Sequence, residues 1–354
     1  MKHFSVFNLG CRVNAAETNL FAQTLINQGY TPLVKGGQGG LDLIFINTCS
    51  VTAKANVESL GLIRRLRLKF PKAQIIVSGC ADTQNIENLK NITFISNIAK
   101  ENELNILKSL YNPKIGDKFS HTHRYLLKVQ SGCTASCTYC TVPLRRPYLW
   151  SLSINDAVLT VNQAVKNGYQ EIIITGVNLI QYSPSLSDLL ETLLTQTNIP
   201  LISFGSLPLL YIDKNFLDLF KIYPSRLSHF LHIPLQSGSD KILKLMNRPY
   251  TKEKIIKTFH NLRSNIYNLN FGTDIIVGFS GETDTDFQDT YDLCKQIGFQ
   301  KIHVFRFSPR QNTIGLDLFN QSHKMPQSVL RERSQKIRSL ISQTTLPFHQ
   351  TPET

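Results

Sequence analysis

No apolar run in this 354-residue sequence approaches the length that a membrane span needs. The opening stretch, MKHFSVFNLGC, lacks the long apolar core and small-residue cleavage site of a signal peptide. Together these absences point to a cytoplasmic protein without a membrane partner. Acidic residues are scarce: 25 stand against 38 basic ones, for a formal charge of +13. That imbalance favours a polyanionic partner, with nucleic acid the commonest kind. Seven cysteines is an odd count, and in a reducing compartment it argues against a disulfide framework. Disorder is excluded as well, because a chain that is 42% hydrophobic and 18% charged can bury a core.

The chain divides into an N-terminal part, 1–112, a polar linker at 113–122 containing Pro and Gly, and a larger part, 123–354. In the first part HFSVFNL, DLIFINTC and AQIIVSGC read as strands. AAETNLFAQTLINQGY and ANVESLGLIRRLRLKF read as helices. This alternation predicts a doubly wound α/β domain with a parallel sheet. After the linker it resumes on a longer period. RYLLKVQ, EIIITG, PLISFG, HFLHIPL, NFGTDIIVGF and KIHVFRF are the expected strands, with helical patterns between most of them. Six parallel strands with crossover helices fit a partial (βα)6 barrel, whose chemistry belongs at the strand C-termini.

One further absence is informative. SGCTASCTYC places Cys133, Cys137 and Cys140 inside eight residues, and no fourth cysteine is near. A structural zinc site wants four ligands. Cys294, over 150 residues away in the helical pattern YDLCKQIG, reads as a small buried residue. Three thiolates on a cubic iron–sulfur cluster leave one iron open to a substrate or cofactor. In the N-terminal part Cys11, Cys49 and Cys80 each stand at the C-terminal end of an expected parallel strand. Those ends share one sheet edge, where ligands of such domains bind. The set reads as a second three-thiolate cluster.

These residues carry a resemblance. NLGCRVNAAETN, FINTCSVTAKAN, IVSGCADTQ, SGCTASCTYC, HIPLQSGSDKILKLMNRPYT and TDIIVGFSGETDTDF resemble the radical S-adenosylmethionine methylthiotransferases, over residues 3–340. GCRVN and NTCSVT look most like the branch that modifies threonylcarbamoyladenosine in tRNA. The resemblance implies two [4Fe–4S] clusters and S-adenosylmethionine as cofactors. It implies that the Cys133/Cys137/Cys140 cluster binds and reductively cleaves S-adenosylmethionine, fed by an electron donor of flavodoxin or ferredoxin type. The Cys11/Cys49/Cys80 cluster would then deliver the methylated sulfur to C2 of an adenosine in the tRNA anticodon loop. The resemblance also places Tyr139 on the cofactor adenine, and Gly176, Asn178, Ser206, His232, Gln236, Ser237 and Asp274 around the cofactor or substrate.

The sequence departs from the family's pattern after the cysteines. RRPYLWS stands where an Arg-Gly-Arg run is usual, so Arg145, Arg146, Tyr148 and Trp150 become the expected RNA contacts, with basic support from Arg64, Arg65, Arg67 and Lys69. Arg306 and Ser280 stand where prolines are usual, and Pro208 where a glutamate is usual. The family's small all-β RNA-binding domain is expected to be absent after PFHQTPET. Two other readings stay open: a methylthiotransferase acting on isopentenyladenosine tRNA or a ribosomal protein, and a non-catalytic iron–sulfur RNA-binding relative.

Overall fold

The computed structural model describes residues 2–33, 40–81, 90–97, 124–322 and 324–342. The expected linker at 113–122, the boundary at 112 and the final PFHQTPET lie outside these residues. The chain forms two compact units, Met1–Ala135 with Thr141–Gly205, and Ser136–Cys140 with Ser206–Thr354.

The first unit opens with β1 (His3–Asn8), α1 (Arg12–Asn27), β2 (Thr31–Pro32), β3 (Leu43–Thr48), α2 (Ala53–Lys69), β4 (Gln74–Gly79) and β5 (Ile92–Phe94). The strands make one parallel sheet in the order β2-β1-β3-β4-β5. All six residues of β3 are buried, which is why LIFINT reads as a continuous run rather than an alternation. One sheet face packs Phe4, Phe45, Phe21 and Leu25, with the Phe21 and Phe45 rings stacked at 4.0 Å. The other packs Ile44, Ile46, Ile75 and Val77 against Leu60, Ile63 and Leu66 of α2.

The same unit continues through β6 (Arg124–Ser131), α3 (Val142–Arg145), β7 (Trp150–Ser151), α4 (Ile154–Lys166), β8 (Glu171–Gly176), α5 (Leu186–Gln196) and β9 (Leu201–Phe204). Strands β6, β8 and β9 are parallel neighbours. The two-residue β7, not anticipated from the sequence, runs antiparallel on the free edge of β6.

The second unit contains α6 (Lys214–Ile222), β10 (Phe230–His232), α7 (Asp240–Leu245), α8 (Lys252–Asn265), β11 (Asn270–Val277), α9 (Asp284–Ile297), β12 (Lys301–Arg306), α10 (Ile314–Gln321) and α11 (Gln327–Ser342). Its sheet, β10-β11-β12, is parallel. Phe259 of α8 meets Phe271 of β11 and Phe299 edge to face on the helix-covered side. Helix starts are set by side-chain caps. Thr251 and Ser239 each accept a backbone N–H three residues on, and Thr283 forms a reciprocal capping box with Asp286. Among the described residues no helix is long and apolar enough to cross a membrane.

Candidate functional site

Strands β1, β3 and β4 are neighbours, so the loops after them share one edge. Cys11 caps α1 and is exposed, Cys49 directly follows β3 and is buried, and Cys80 directly follows β4. The last two loops are stitched together. Cys80 N donates to Thr48 O at 3.1 Å, and Ser50 Oγ donates to Cys80 O at 2.6 Å. Gly79 is required here, because its φ is +103° and a Cβ would lie 2.4 Å from Thr48 O. Burial pushes the Cys49 thiol up, the backbone N–H groups of Val51 and Ser50 pull it back, and the nearby Cys80 and Cys11 sulfurs push it up again. The three strand ends thus bring the cysteines to one sheet edge, and repulsion between neighbouring thiolates is the kind a cationic metal centre relieves. Among the described residues, the set with all ligand atoms within 4.8 Å of one another is His232, Asp274 and His303.

Cys133 follows β6 through Gly132, whose φ is +83° and whose Cβ would lie 1.9 Å from Tyr148 O. Cys133 N donates to Arg146 O at 3.1 Å. Its sulfur accepts from Ala135 N at 3.4 Å and from Asn178 Nδ2 at 3.5 Å. In the second unit Cys137 Sγ accepts from Arg248 Nη1 at 3.3 Å. Residues 136–140 are fixed to the end of α7. Thr138 Oγ1 donates to Leu245 O at 2.8 Å, and Asn247 Nδ2 donates to Ser136 O at 3.0 Å. N–H donors aimed at sulfur stabilise thiolate and tune a cluster bound there. Tyr139 is half-buried against Ile242, Met246, Ile276 and Phe279. Burial pushes its phenol well above the ordinary range, and Arg248 opposes that. Sequence reasoning missed Arg248; the signal available was an arginine in MNRPY just past α7. Cys294 is buried within α9 with its thiol pushed up to about 12 by burial, in keeping with its reading as a small buried residue.

The structure corrects the reading of Arg146 as a surface RNA contact. Arg146 is 3% exposed. Its Nη1 and Nη2 reach the Glu17 carboxylate oxygens at 2.8 and 3.0 Å, and Nη2 donates to Asn14 Oδ1 at 3.2 Å. Lys128 Nζ joins the same carboxylate at 2.9 Å. Asn14 also donates to Thr48 O at 2.7 Å and lies 3.8 Å from Cys11 Sγ. A buried polar network therefore links the Cys11 loop, the β3 end before Cys49 and the chain that holds Cys133. Arg67 is likewise structural, with Nη1 donating to Ala73 O at 2.8 Å. Trp150 is half-buried, with Lys128 Nζ 5.1 Å above its ring. Arg145, Tyr148, Arg64, Arg65 and Lys69 are exposed.

Among the other expected residues, His232 Nε2 and Asp274 Oδ1 meet at 3.0 Å. His303 Nδ1, which the sequence reading passed over, meets the same oxygen at 3.0 Å. Burial raises the Asp274 carboxyl, but the two imidazoles more than reverse this and leave it below the usual range. Ser206 bridges to His232 and Gln236 to Ile275, Gln236 at φ +75°. The Ser237 hydroxyl is buried 3.1 Å from Thr290 Oγ1. Gly176 leaves room for Gln130, whose Oε1 accepts from Asn178 N at 2.8 Å.

Residues 127–294 match the Radical SAM superfamily, and residues 3–99 match the Uncharacterized protein family UPF0004. The chain is 31% identical to threonylcarbamoyladenosine tRNA methylthiotransferase MtaB of Aquifex aeolicus, over 97% of this chain and 88% of that one. It is 32% identical to the protein of the same name from Thermotoga maritima, over 88% and 76%. It is 28% identical to tRNA-2-methylthio-N(6)-dimethylallyladenosine synthase of Bdellovibrio bacteriovorus, over 93% and 78%. The structure resembles the radical S-adenosylmethionine methyltransferase TsrM from Kitasatospora setae, with TM-score 0.62 at 11% identity, covering 92% of this chain and 80% of that one. At that identity the likeness speaks for the fold alone.

Proposed function

The chain belongs to the radical S-adenosylmethionine methylthiotransferase family, and we propose that it adds a methylthio group to C2 of threonylcarbamoyladenosine beside the tRNA anticodon. The observation that carries the chemistry is the pair of three-cysteine sets, one spread over the C-terminal ends of three parallel strands and the other in the loop after β6. The names of the Aquifex and Thermotoga relatives support the choice of nucleoside. When bound, a [4Fe–4S] cluster on Cys133, Cys137 and Cys140 supplies the electron that cleaves S-adenosylmethionine, and one on Cys11, Cys49 and Cys80 supplies the sulfur.

The chain's own residues hold and orient. Asn178 and Ala135 donate to the Cys133 sulfur, and Arg248 donates to that of Cys137. Tyr139 presents an aromatic surface beside the same loop for the cofactor adenine, while Gly176, Ser206, Gln236 and the His232–Asp274 pair supply polar contacts to cofactor or substrate. Exposed Tyr148 is the residue for stacking on a splayed anticodon-loop base, and Arg145 the one for a neighbouring phosphate. A flavodoxin- or ferredoxin-type protein would supply the electron.

The Bdellovibrio relative favours a second reading, dimethylallyladenosine as substrate. The test is anaerobic reconstitution followed by assay on two tRNAs, one bearing threonylcarbamoyladenosine and one bearing dimethylallyladenosine. Mass spectrometry of the nucleosides should show replacement of one hydrogen by methylthio in the first. Modification of the second alone would overturn the proposed substrate.

A further inference from the structure

We propose that Arg306, Arg331, Ser334, Gln335 and Arg338 form a phosphate-binding site on the second unit. The five residues line a cavity of about 220 Å³. Arg306 ends β12, and the other four stand on one face of α11 at spacings of three, four and seven residues, which align along a helix. Three arginines thus line one cavity with no carboxylate among its lining residues. Arg338 Nη2 donates to Val304 O at 2.9 Å, which braces it against β12. Arg333, on a different face of α11, is taken up by Glu282 and Asp284 and leaves this site to the others.

A second, independent observation points to a ligand. The Ser334 side chain is 3% exposed, and its hydroxyl has no hydrogen-bond partner. A helical serine ordinarily satisfies itself on the carbonyl four residues back, and a buried hydroxyl without a partner is costly. Ser334 lines the cavity while its hydroxyl is sealed beneath neighbouring side chains, so an oxyanion in the cavity would accept from the guanidinium forks first and from the hydroxyl once those side chains draw aside. Forked donors suit phosphate. The volume is below the ~300–1,000 Å³ of pockets that enclose a drug-sized ligand, so the cavity suits one phosphate group and not a whole cofactor.

The phosphate could be a backbone group of the RNA substrate or a free phosphate. The first source rests on the tRNA reading above, and the second does not. Three proteins should be compared: wild type, Arg306→Gln/Arg331→Gln, and Ser334→Ala. Both replaced arginines are exposed, so folding and substrate-independent formation of 5′-deoxyadenosine should match wild type. In the first arm, thermal melts are run with inorganic phosphate against chloride at equal ionic strength. Wild type should be stabilised, and the shift should disappear in both variants. In the second arm, tRNA affinity is measured across a salt series. The double variant should bind more weakly, with the log–log slope reduced by about one for each phosphate that is no longer neutralised. A phosphate-specific shift with unchanged tRNA binding assigns the site to a small phosphate. If wild type binds no tRNA, the substrate reading fails while the melts still test the site. No phosphate-specific shift in wild type and no change in tRNA affinity or slope in the double variant would overturn the proposal.

Discussion

At the residue scale, Arg146 illustrates what a short motif conceals. Two arginines side by side in RRPYLWS look equally available for phosphate, but the helical turn at Val142–Arg145 turns one outward and the next inward onto Glu17. Nothing in the spacing says which. Because Glu17 is wholly buried, removing Arg146 takes two charge-assisted hydrogen bonds from its carboxylate and leaves it to Lys128 and Asn47, at a cost of about 1–3 kcal/mol. Arg146→Ala should lower the unfolding free energy in urea by that amount with little change in the tRNA salt slope. A large change in slope with unaltered stability would return Arg146 to the RNA surface. Asp274 gives a pH signature. Its folded pKa lies below the ordinary carboxylate value, so its stabilisation is present above that ordinary value, near ~3.9, and is lost as pH falls through the depressed one. With charge-assisted hydrogen bonds worth about 2 kcal/mol, Asp274→Asn should be less stable than wild type at neutral pH. The gap should narrow in acid; an equal gap at pH 7 and pH 3 would show that the imidazoles do not act through its charge.

At the scale of elements, nearly all the strands that carry candidate residues were legible. The runs HFSVFNL, DLIFINTC and EIIITG became β1, β3 and β8 within a residue or two at each end, because buried parallel strands read as apolar runs bounded by turns. The cysteines were legible for the same reason, since strand ends fix loop positions. Contacts between distant segments were not. His303 alternates with buried Ile302 and Val304 as any half-exposed strand residue would, and only the register of β12 on β11 sets it opposite Asp274. The two-residue β2 and β7 are too short for any periodicity to register. Helix α11 docks through Arg333, which is 5% exposed and bonded to Glu282 and Asp284. Burial of Glu282 pushes its carboxyl up, while Gly278 N–H and Arg333 oppose this. Arg333→Ala should therefore cost about 3–5 kcal/mol and expose α11 amides to hydrogen exchange. Unchanged protection of α11 would show that apolar packing by Leu330, Ile337 and Leu340 suffices.

For the whole molecule, a charge of +13 makes RNA binding a matter of counterion release. The structure sorts that charge. Arg67, Lys128 and Arg146 are spent on internal contacts, whereas Arg64, Arg65, Lys69 and Arg145 are exposed. About four such contacts would give a log–log slope near −3. Arg64→Gln/Arg65→Gln should flatten that slope by about 1.5, and Arg67→Gln should reduce stability instead. An unchanged slope in the first variant would remove α2 from the RNA surface.

The central claim is a division of labour between two three-cysteine centres on one chain. It is tested most directly by measuring 5′-deoxyadenosine and methylthiolated nucleoside in the same anaerobic reaction, for wild type and for the two triple alanine variants. Replacing Cys133, Cys137 and Cys140 should abolish both products and leave about half the iron. Replacing Cys11, Cys49 and Cys80 should abolish the methylthiolated nucleoside while 5′-deoxyadenosine continues to form. Loss of 5′-deoxyadenosine in that second variant, with its remaining cluster intact and the barrel folded, would contradict the account.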